Sequence, residues 1–393
     1  MELSNICEYS SKRIDSSLLN VENYVSTENM MQNKGGITLA AKVPVENSVE
    51  FLPGDILISN IRPYFRKIWL SDKQGGCSSD VLCIRALPGT DSTYLYYLLS
   101  QDSFFDYVMS GAKGCKMPRG DKSQIMQWDV DLPNFEDQHR IASILKSIDD
   151  KIQLNNRINH NLEQQAQALY KSYFVDFEPF RNGKFIESEL GLIPEGWKIG
   201  KINDVINLLS GFPFKSSDFQ ENGDYQLITI KGVQDGYLDV TSADMLSSLP
   251  SKMPQYCILN IGDILISLTG NVGRICIVDM NNLLLNQRVA ILSPKNIRDS
   301  FYVYTMFRSE SMKDELIHLA RGTAQLNLSP IETGEKLTVI PPDSILEAFA
   351  KVGKGTFNQY ISLKMENIRL MEMRDSLLPK LMSGELKIND LTC

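Results

Sequence analysis

The chain has 393 residues, enough for two or three domains that each bury a core. Its 48 acidic residues exceed its 40 basic ones, so no global positive field marks it as a nucleic-acid binder, and any such surface must be local. Seven scattered cysteines (Cys7, Cys77, Cys83, Cys115, Cys257, Cys276 and Cys393) with no CxxC pair argue against a disulfide framework or zinc ribbon and for a reducing cytoplasm. The polar N-terminus carries no secretion signal, and no apolar run approaches the ~18–20 residues of a membrane span.

In chain order, residues 1–134 read as a first globular domain. Phe51-Leu-Pro-Gly54 is a turn, 55–61 and 81–86 are strands of high β propensity, and 93–110 is a helix stopped by Gly111. A loop rich in Gly, Lys and Arg leads to a last strand over 128–132. Residues 135–180 hold a long helix, and 181–196 form a connector that tucks Trp197 and its neighbouring isoleucine against the next domain. The second globular domain, 197–342, has strands near 227–231, 264–268, 274–278, 288–292 and 336–340 and a helix near 301–320. Ser329-Pro-Ile-Glu332 has the form of a capping box with Pro at the first helical position. Residues 343–393 are a second long helix and tail. Gly353 and Gly355 weaken its first third, so the continuous helix is predicted over 356–382, ended by Ser383-Gly384.

The stretch 136–174 lacks Pro and Gly, and in it Ile141, Leu145, Ile148, Ile152, Asn155, Asn159, Leu162, Ala166, Leu169 and Tyr173 form an unbroken heptad seam. At 1.5 Å per residue it would be roughly 58 Å long and needs a partner helix to bury that seam. The partner comes from an internal repeat. Gly54-Asp-Ile-Leu-Ile-Ser59 recurs as Gly262-Asp-Ile-Leu-Ile-Ser267, an offset of 208 that also carries Ala112-Lys113-Gly114 to Ala320-Arg321-Gly322. The same offset carries the seam onto Phe349, Gly353, Thr356, Tyr360, Leu363, Asn367, Leu370, Arg374, Leu377 and Leu381. Asn155, Asn159 and Asn367 interrupt the apolar seam. They either fix an antiparallel register at a cost in stability or sit in water at its edge.

Enzyme chemistry finds little support. Only three histidines occur, two of them on the first long helix, and no Gly-rich phosphate loop is present. Asp176-Phe-Glu-Pro-Phe180 is a distant echo of an amino-methyltransferase motif and reads better as helix-end packing. Glu385-Leu-Lys387 follows a helix stop without the upstream acid that a nuclease needs.

Several passages together resemble the specificity subunits of type I restriction-modification systems. They are Leu132-Pro-Asn-Phe-Glu-Asp-Gln138 with the helix after it, Gly191-Leu-Ile-Pro-Glu-Gly-Trp197, and Asp375-Ser-Leu-Leu-Pro-Lys-Leu-Met-Ser-Gly-Glu-Leu386. The first helix departs from that pattern by ending in Tyr-Phe-Val-Asp-Phe, and the first domain has no Pro-Glu-Gly-Trp of its own. The resemblance implies an α+β chain: two target-recognition domains with curved β-sheets, separated by two long antiparallel coiled-coil helices. It further implies a non-catalytic subunit that reads a split double-stranded DNA target, docks two methyltransferase subunits, and meets restriction/translocase subunits through the complex. S-adenosylmethionine, Mg and ATP would then serve the partner subunits, with no cofactor in this chain. A scaffold that spaces two protein partners is the alternative. The steep salt dependence of duplex binding separates the two.

Specific readout needs Arg, Lys, Asn and Gln at base edges and further cations on phosphates. In the first domain the candidates are Asn60, Arg62, Tyr64, Arg66 and Lys67, with Lys113, Lys116, Arg119 and Lys122. In the second they are Thr269, Asn271 and Arg274, with Arg321, Thr323, Gln325 and Asn327. The offset pairs Arg66 with Arg274 and Lys113 with Arg321. Any one of these residues is as readily a solvated surface charge; the case rests on the loops as groups.

Overall fold

The computed structural model describes residues 1–114, 116–322 and 325–387. The chain divides into two compact units, Met1–Ile152 with the residues from Arg369 onward, and Gln153–Ile368. Each unit therefore contains part of both long helices.

The first unit forms β1 (Cys7–Tyr9), β2 (Arg13–Ile14), β3 (Tyr24–Val25), β4 (Ser48–Phe51), β5 (Ile56–Ser59), β6 (Ile68–Leu70), β7 (Gly75–Cys77) and β8 (Val81–Ala86). Helices α1 (Ser92–Leu99), α2 (Asp102–Ser110) and α3 (Lys122–Met126) follow, then the start of α4 (Phe135–Phe174). One antiparallel sheet has the order β1-β8-β5-β6, and a second has the order β2-β4-β7-β3 with β3 parallel to β7. All four residues of β5 are buried, as expected of a central strand covered on both faces. The predicted helix over 93–110 is two helices. Ser100 Oγ donates to Tyr96 O at 2.6 Å, and Gln101 turns extended, so the first helix is capped before the second begins. The strand predicted over 128–132 does not form. Its pairing is confined to a bridge between Glu2 and Asp129, flanked by Leu3 N–H on Trp128 O and Val130 N–H on Met1 O.

The second unit adds the hairpin β9 (Phe185–Ser188) and β10 (Gly191–Pro194), where only a connector was expected. Then come β11 (Lys198–Lys201), β12 (Ile206–Ser210), β13 (Tyr225–Ile228), β14 (Met245–Leu246), β15 (Ile264–Ser267), β16 (Ile275–Ile277), β17 (Leu283–Leu285) and β18 (Val289–Pro294). Helices α5 (Ser300–Arg308), α6 (Glu310–Leu319) and α7 (Pro330–Glu335), strand β19 (Leu337–Ile340) and helix α8 (Asp343–Met382) complete it. The sheet β12-β18-β15-β16 repeats the order β1-β8-β5-β6 strand for strand. The equivalent of the missing strand is present here, because β19 pairs with β11 over four residues. Trp197 is buried against Phe174, Phe177 and Phe180, so the segment after α4 is helix-end packing. Ser329 caps α7 by accepting from Glu332 N–H, while the Glu332 carboxylate pairs with Arg321 and does not complete the box.

Gly353 and Gly355 predict a continuous helix only from 356, whereas α8 runs unbroken from Asp343 through both glycines. Gly353 lies under Phe301. A Cβ added there would come within 1.9 Å of the ring, so glycine makes room for an aromatic side chain. The helices run antiparallel within each unit. In the first, Ile141 and Leu145 near the start of α4 share a core with Leu378 and Leu381 near the end of α8. In the second, Ala166 and Tyr170 share one with Leu346 and Phe349. The polar seam positions are buried: Asn155 is fully buried and donates from Nδ2 to Asn367 Oδ1 at 2.9 Å, while Asn367 donates back to Asn156 Oδ1 at 2.8 Å. This layer matches only when the helices hold one register, as a buried polar pair requires. Among the described residues no helix is long and apolar enough to cross a membrane.

Candidate nucleic-acid interface

In the first unit, two segments that are distant in sequence form one surface. The loop after β5 carries Asn60, Arg62, Tyr64, Arg66 and Lys67; the loop between α2 and α3 carries Lys113, Lys116 and Arg119. Arg119 bridges to Ile61 on one side and to Lys113 on the other, and Arg62 N–H donates to Pro118 O at 2.8 Å. The second unit repeats this arrangement. Asn327 bridges to Thr269 and to Arg321, and Gly270 N–H donates to Leu326 O at 2.9 Å. The turn between the bridged residues opens with a left-handed glycine in each unit, Gly114 at φ 102° and Gly322 at φ 125°. A side chain is strained there, which gives a physical reason for the shared Ala-Lys/Arg-Gly.

The constant offset pairs Arg66 with Arg274, but the strand ladder does not. Ser59 N–H donates to Lys67 O, and Ser267 N–H donates to Arg274 O, so Lys67 rather than Arg66 is the counterpart of Arg274. The first loop is one residue longer and winds a short 3-10 turn, Pro63–Phe65, into the extra length. Arg62 and Arg66 flank that turn, both at φ 50°. Their counterparts are Gly270 at φ 76° and Gly273 at φ 75°.

The partners of the candidate side chains differ. Asn60 is 9% exposed and packs beside Gly120, and Thr269 is 8% exposed with its hydroxyl donating to Asn327 Oδ1. Lys67 donates to Thr27 O at 2.6 Å, and burial lowers its pKa. Thr269 and Lys67 are thus committed inside the fold, whereas Asn60 Oδ1 is buried without a hydrogen-bond partner among the described residues. Lys122 opens α3 instead of lying in the loop, with its ammonium 5.9 Å over the Tyr9 ring. Arg66 pairs with Asp102 at 3.1 Å, Arg119 with Asp80 at 3.0 Å, and Lys113 with Asp121 at 2.9 Å. That last hydrogen bond holds the Asp121 carboxyl below the usual carboxylate range. Arg274 donates to Gln234 Oε1 at 2.6 Å, and Arg321 pairs with Glu332 at 2.7 Å. Tyr64, Lys116, Asn271 and Gln325 are exposed. Thr323 lies outside the described residues.

Exposed ion pairs of this kind contribute little to stability, so their cations can exchange a carboxylate for a phosphate at small cost. Sequence reasoning missed the supporting residues. Asn33 and Lys34, both left-handed, donate backbone N–H to Phe65 O and Arg66 O, and Lys34 shares Asp102 with Arg66. No short motif marks such a contact. Among the described residues no group of three or more His, Cys, Asp or Glu could hold a metal ion. A cavity of about 350 Å³ lies at the start of α4, lined by Asp131, Asp137, Ile141 and Leu381, and includes none of these loop residues.

Residues 1–164 and 194–343 match the family model described as type I restriction modification DNA specificity domain. The chain is 28% identical over 311 residues to the type I restriction enzyme MjaIX specificity subunit of Methanocaldococcus jannaschii, covering 77% of this chain and 71% of that one. It is 25% identical over 464 residues to the HindI specificity subunit of Haemophilus influenzae, covering 98% of each. The crystal structure of a type I restriction-modification S subunit from M. genitalium shares the fold, with a TM-score of 0.56 at 16% identity over 97% of this chain and 95% of that one. Two β-rich domains that share one four-stranded sheet order, two long helices packed together and a family match over most of the chain give one conclusion: this chain belongs to the type I restriction-modification DNA specificity family, whose members are non-catalytic specificity subunits.

Proposed function

We propose that each unit reads one half of a split double-stranded DNA target through its paired loops, 60–66 with 113–119 in the first and 268–274 with 321–327 in the second. The observation that carries this reading is the repeated bridge pattern. One backbone frame presents two different sets of polar side chains, as two different half-sites require. Loop cations hold phosphates, and the side chains that differ between the units select bases. The α4–α8 pair docks two methyltransferase subunits, and restriction/translocase subunits join through them inside the cell. S-adenosylmethionine, Mg and ATP serve those partners.

The test is methylome sequencing of a host that expresses this chain with its methyltransferase. A split methylated motif is expected. Exchanging residues 1–134 for those of a relative should change only one half of it. Absence of any split motif despite a stable complex would overturn the proposal.

A further inference from the structure

Two left-handed positions distinguish the recognition loops. The second unit fills them with Gly270 and Gly273, which adopt this conformation freely; the first fills them with Arg62 and Arg66. A residue with a Cβ is strained in that region. Such an outlier points to a side chain that the site uses.

The partners single out one of the two arginines. Arg66 is held by Asp102, and Arg119, the other arginine of the paired loops, by Asp80. Among the described residues Arg62 makes no ion pair. Its Nε is buried without an acceptor, and its guanidinium carbon lies 6.0 Å over the Phe65 ring, which leaves the fork uncommitted. In the second unit both loop arginines are engaged, by Gln234 and Glu332. There the space above residue 270 is bordered by another group: a Cβ built on Gly270 would lie 3.6 Å from Gln325 Nε2. The exposed Gln325 carboxamide thus stands beside the place that corresponds to the Arg62 Cβ in the first unit.

The two groups have different complements. A guanidinium matches the O6 and N7 acceptors of guanine, and a carboxamide matches the N6 donor and N7 acceptor of adenine. We infer that Arg62 selects a guanine in the half-site read by the first unit and that Gln325 selects an adenine in the half-site read by the second. The inference rests on the proposed reading of split DNA and adds the base class at one position of each half.

Arg62→Gly is an informative variant because it places in the first loop the residue that the second already carries, and so should fold at least as well as the parent. The motif methylated by a host expressing the full chain with its methyltransferase should become degenerate at a single G·C pair of one half-site, with the other half unchanged. Gln325→Ala should relax a single A·T pair in the opposite half. Replacing the implicated guanine by 7-deazaguanine in a duplex should weaken binding of the parent complex by about tenfold or more and leave the Arg62→Gly complex indifferent. Retention of every position by Arg62→Gly, loss at an A·T pair, or equal sensitivity of both complexes to 7-deazaguanine would overturn the inference. A parent chain that directs no split motif would remove the proposed function and the inference together, whereas an intact parent motif with an unaltered variant motif would remove only the inference.

Discussion

The two units fill the contact between their long helices and the first helix after the central sheet in opposite ways. In the first, the seam carries Leu145, fully buried, and the corresponding place on α1 holds Thr93. In the second, the seam carries Gly353 and α5 supplies Phe301, whose ring stacks on Phe349 at a centroid distance of 5.0 Å. Volume has moved from one helix to its neighbour while the frame has stayed the same. Cores tolerate such exchanges when total volume is conserved, and resist them one residue at a time. The same lesson applies to a buried carboxylate. Asp55 is held by Leu52 N–H and by both Nε and a terminal nitrogen of Arg85, whereas its counterpart Asp263 accepts from Asn260 and has no arginine partner among the described residues, with Ser293 standing where the first unit has Arg85.

The largest test of this comparison is Gly353→Leu, which should destabilise the second unit by about 3 kcal/mol as the new side chain meets Phe301. Adding Phe301→Thr rebuilds the arrangement of the first unit and should recover most of the loss in thermal denaturation. Failure of that rescue would mean that the two packings are not interchangeable. Next in size is Asp55→Asn, expected to cost about 2 kcal/mol by leaving the partly exposed Arg85 without its charged partner. Asp263→Asn should stay within about 0.5 kcal/mol of the parent at neutral pH, since the amide oxygen can still accept from Asn260. Burial raises the Asp263 carboxyl above its ordinary value, so the folded state takes up a proton before the unfolded one. The parent should therefore gain stability relative to Asp263→Asn as pH falls through the raised value, and denaturation at stepped pH measures this.

Gly270→Arg carries the strain of the first loop into the second and should cost about 1–2 kcal/mol, read as a lowered Tm. The smallest effect belongs to Lys116→Ala. Stability should not change, while the dependence of DNA affinity on salt should lose about one unit of slope if this exposed ammonium sits on a phosphate. An unchanged slope would remove Lys116 from the interface.

Much of the architecture was legible because it depends on patterns that repeat. The hexapeptide offset of 208 located β5 and β15, and the period of the seam located two helices whose observed bounds differ by the same offset. The paired loops were legible as clusters of cations and amides on either side of a shared Ala-Lys/Arg-Gly.

The remainder was decided by contacts between distant residues. Gly353 reads as a helix breaker until Phe301 is placed over it, and Arg66 reads as the mate of Arg274 until the ladder from Ser59 reaches Lys67 instead. Whether Lys67 is a free cation depends on Thr27 O, which lies 40 residues earlier. Periodicity and turn chemistry are local properties of a chain, so the sequence by itself determined the repeat, the helices and the family. Burial, ion pairing and the exchange of volume between neighbours are properties of the folded surface, so only the tertiary structure decided which of the candidate side chains remain uncommitted.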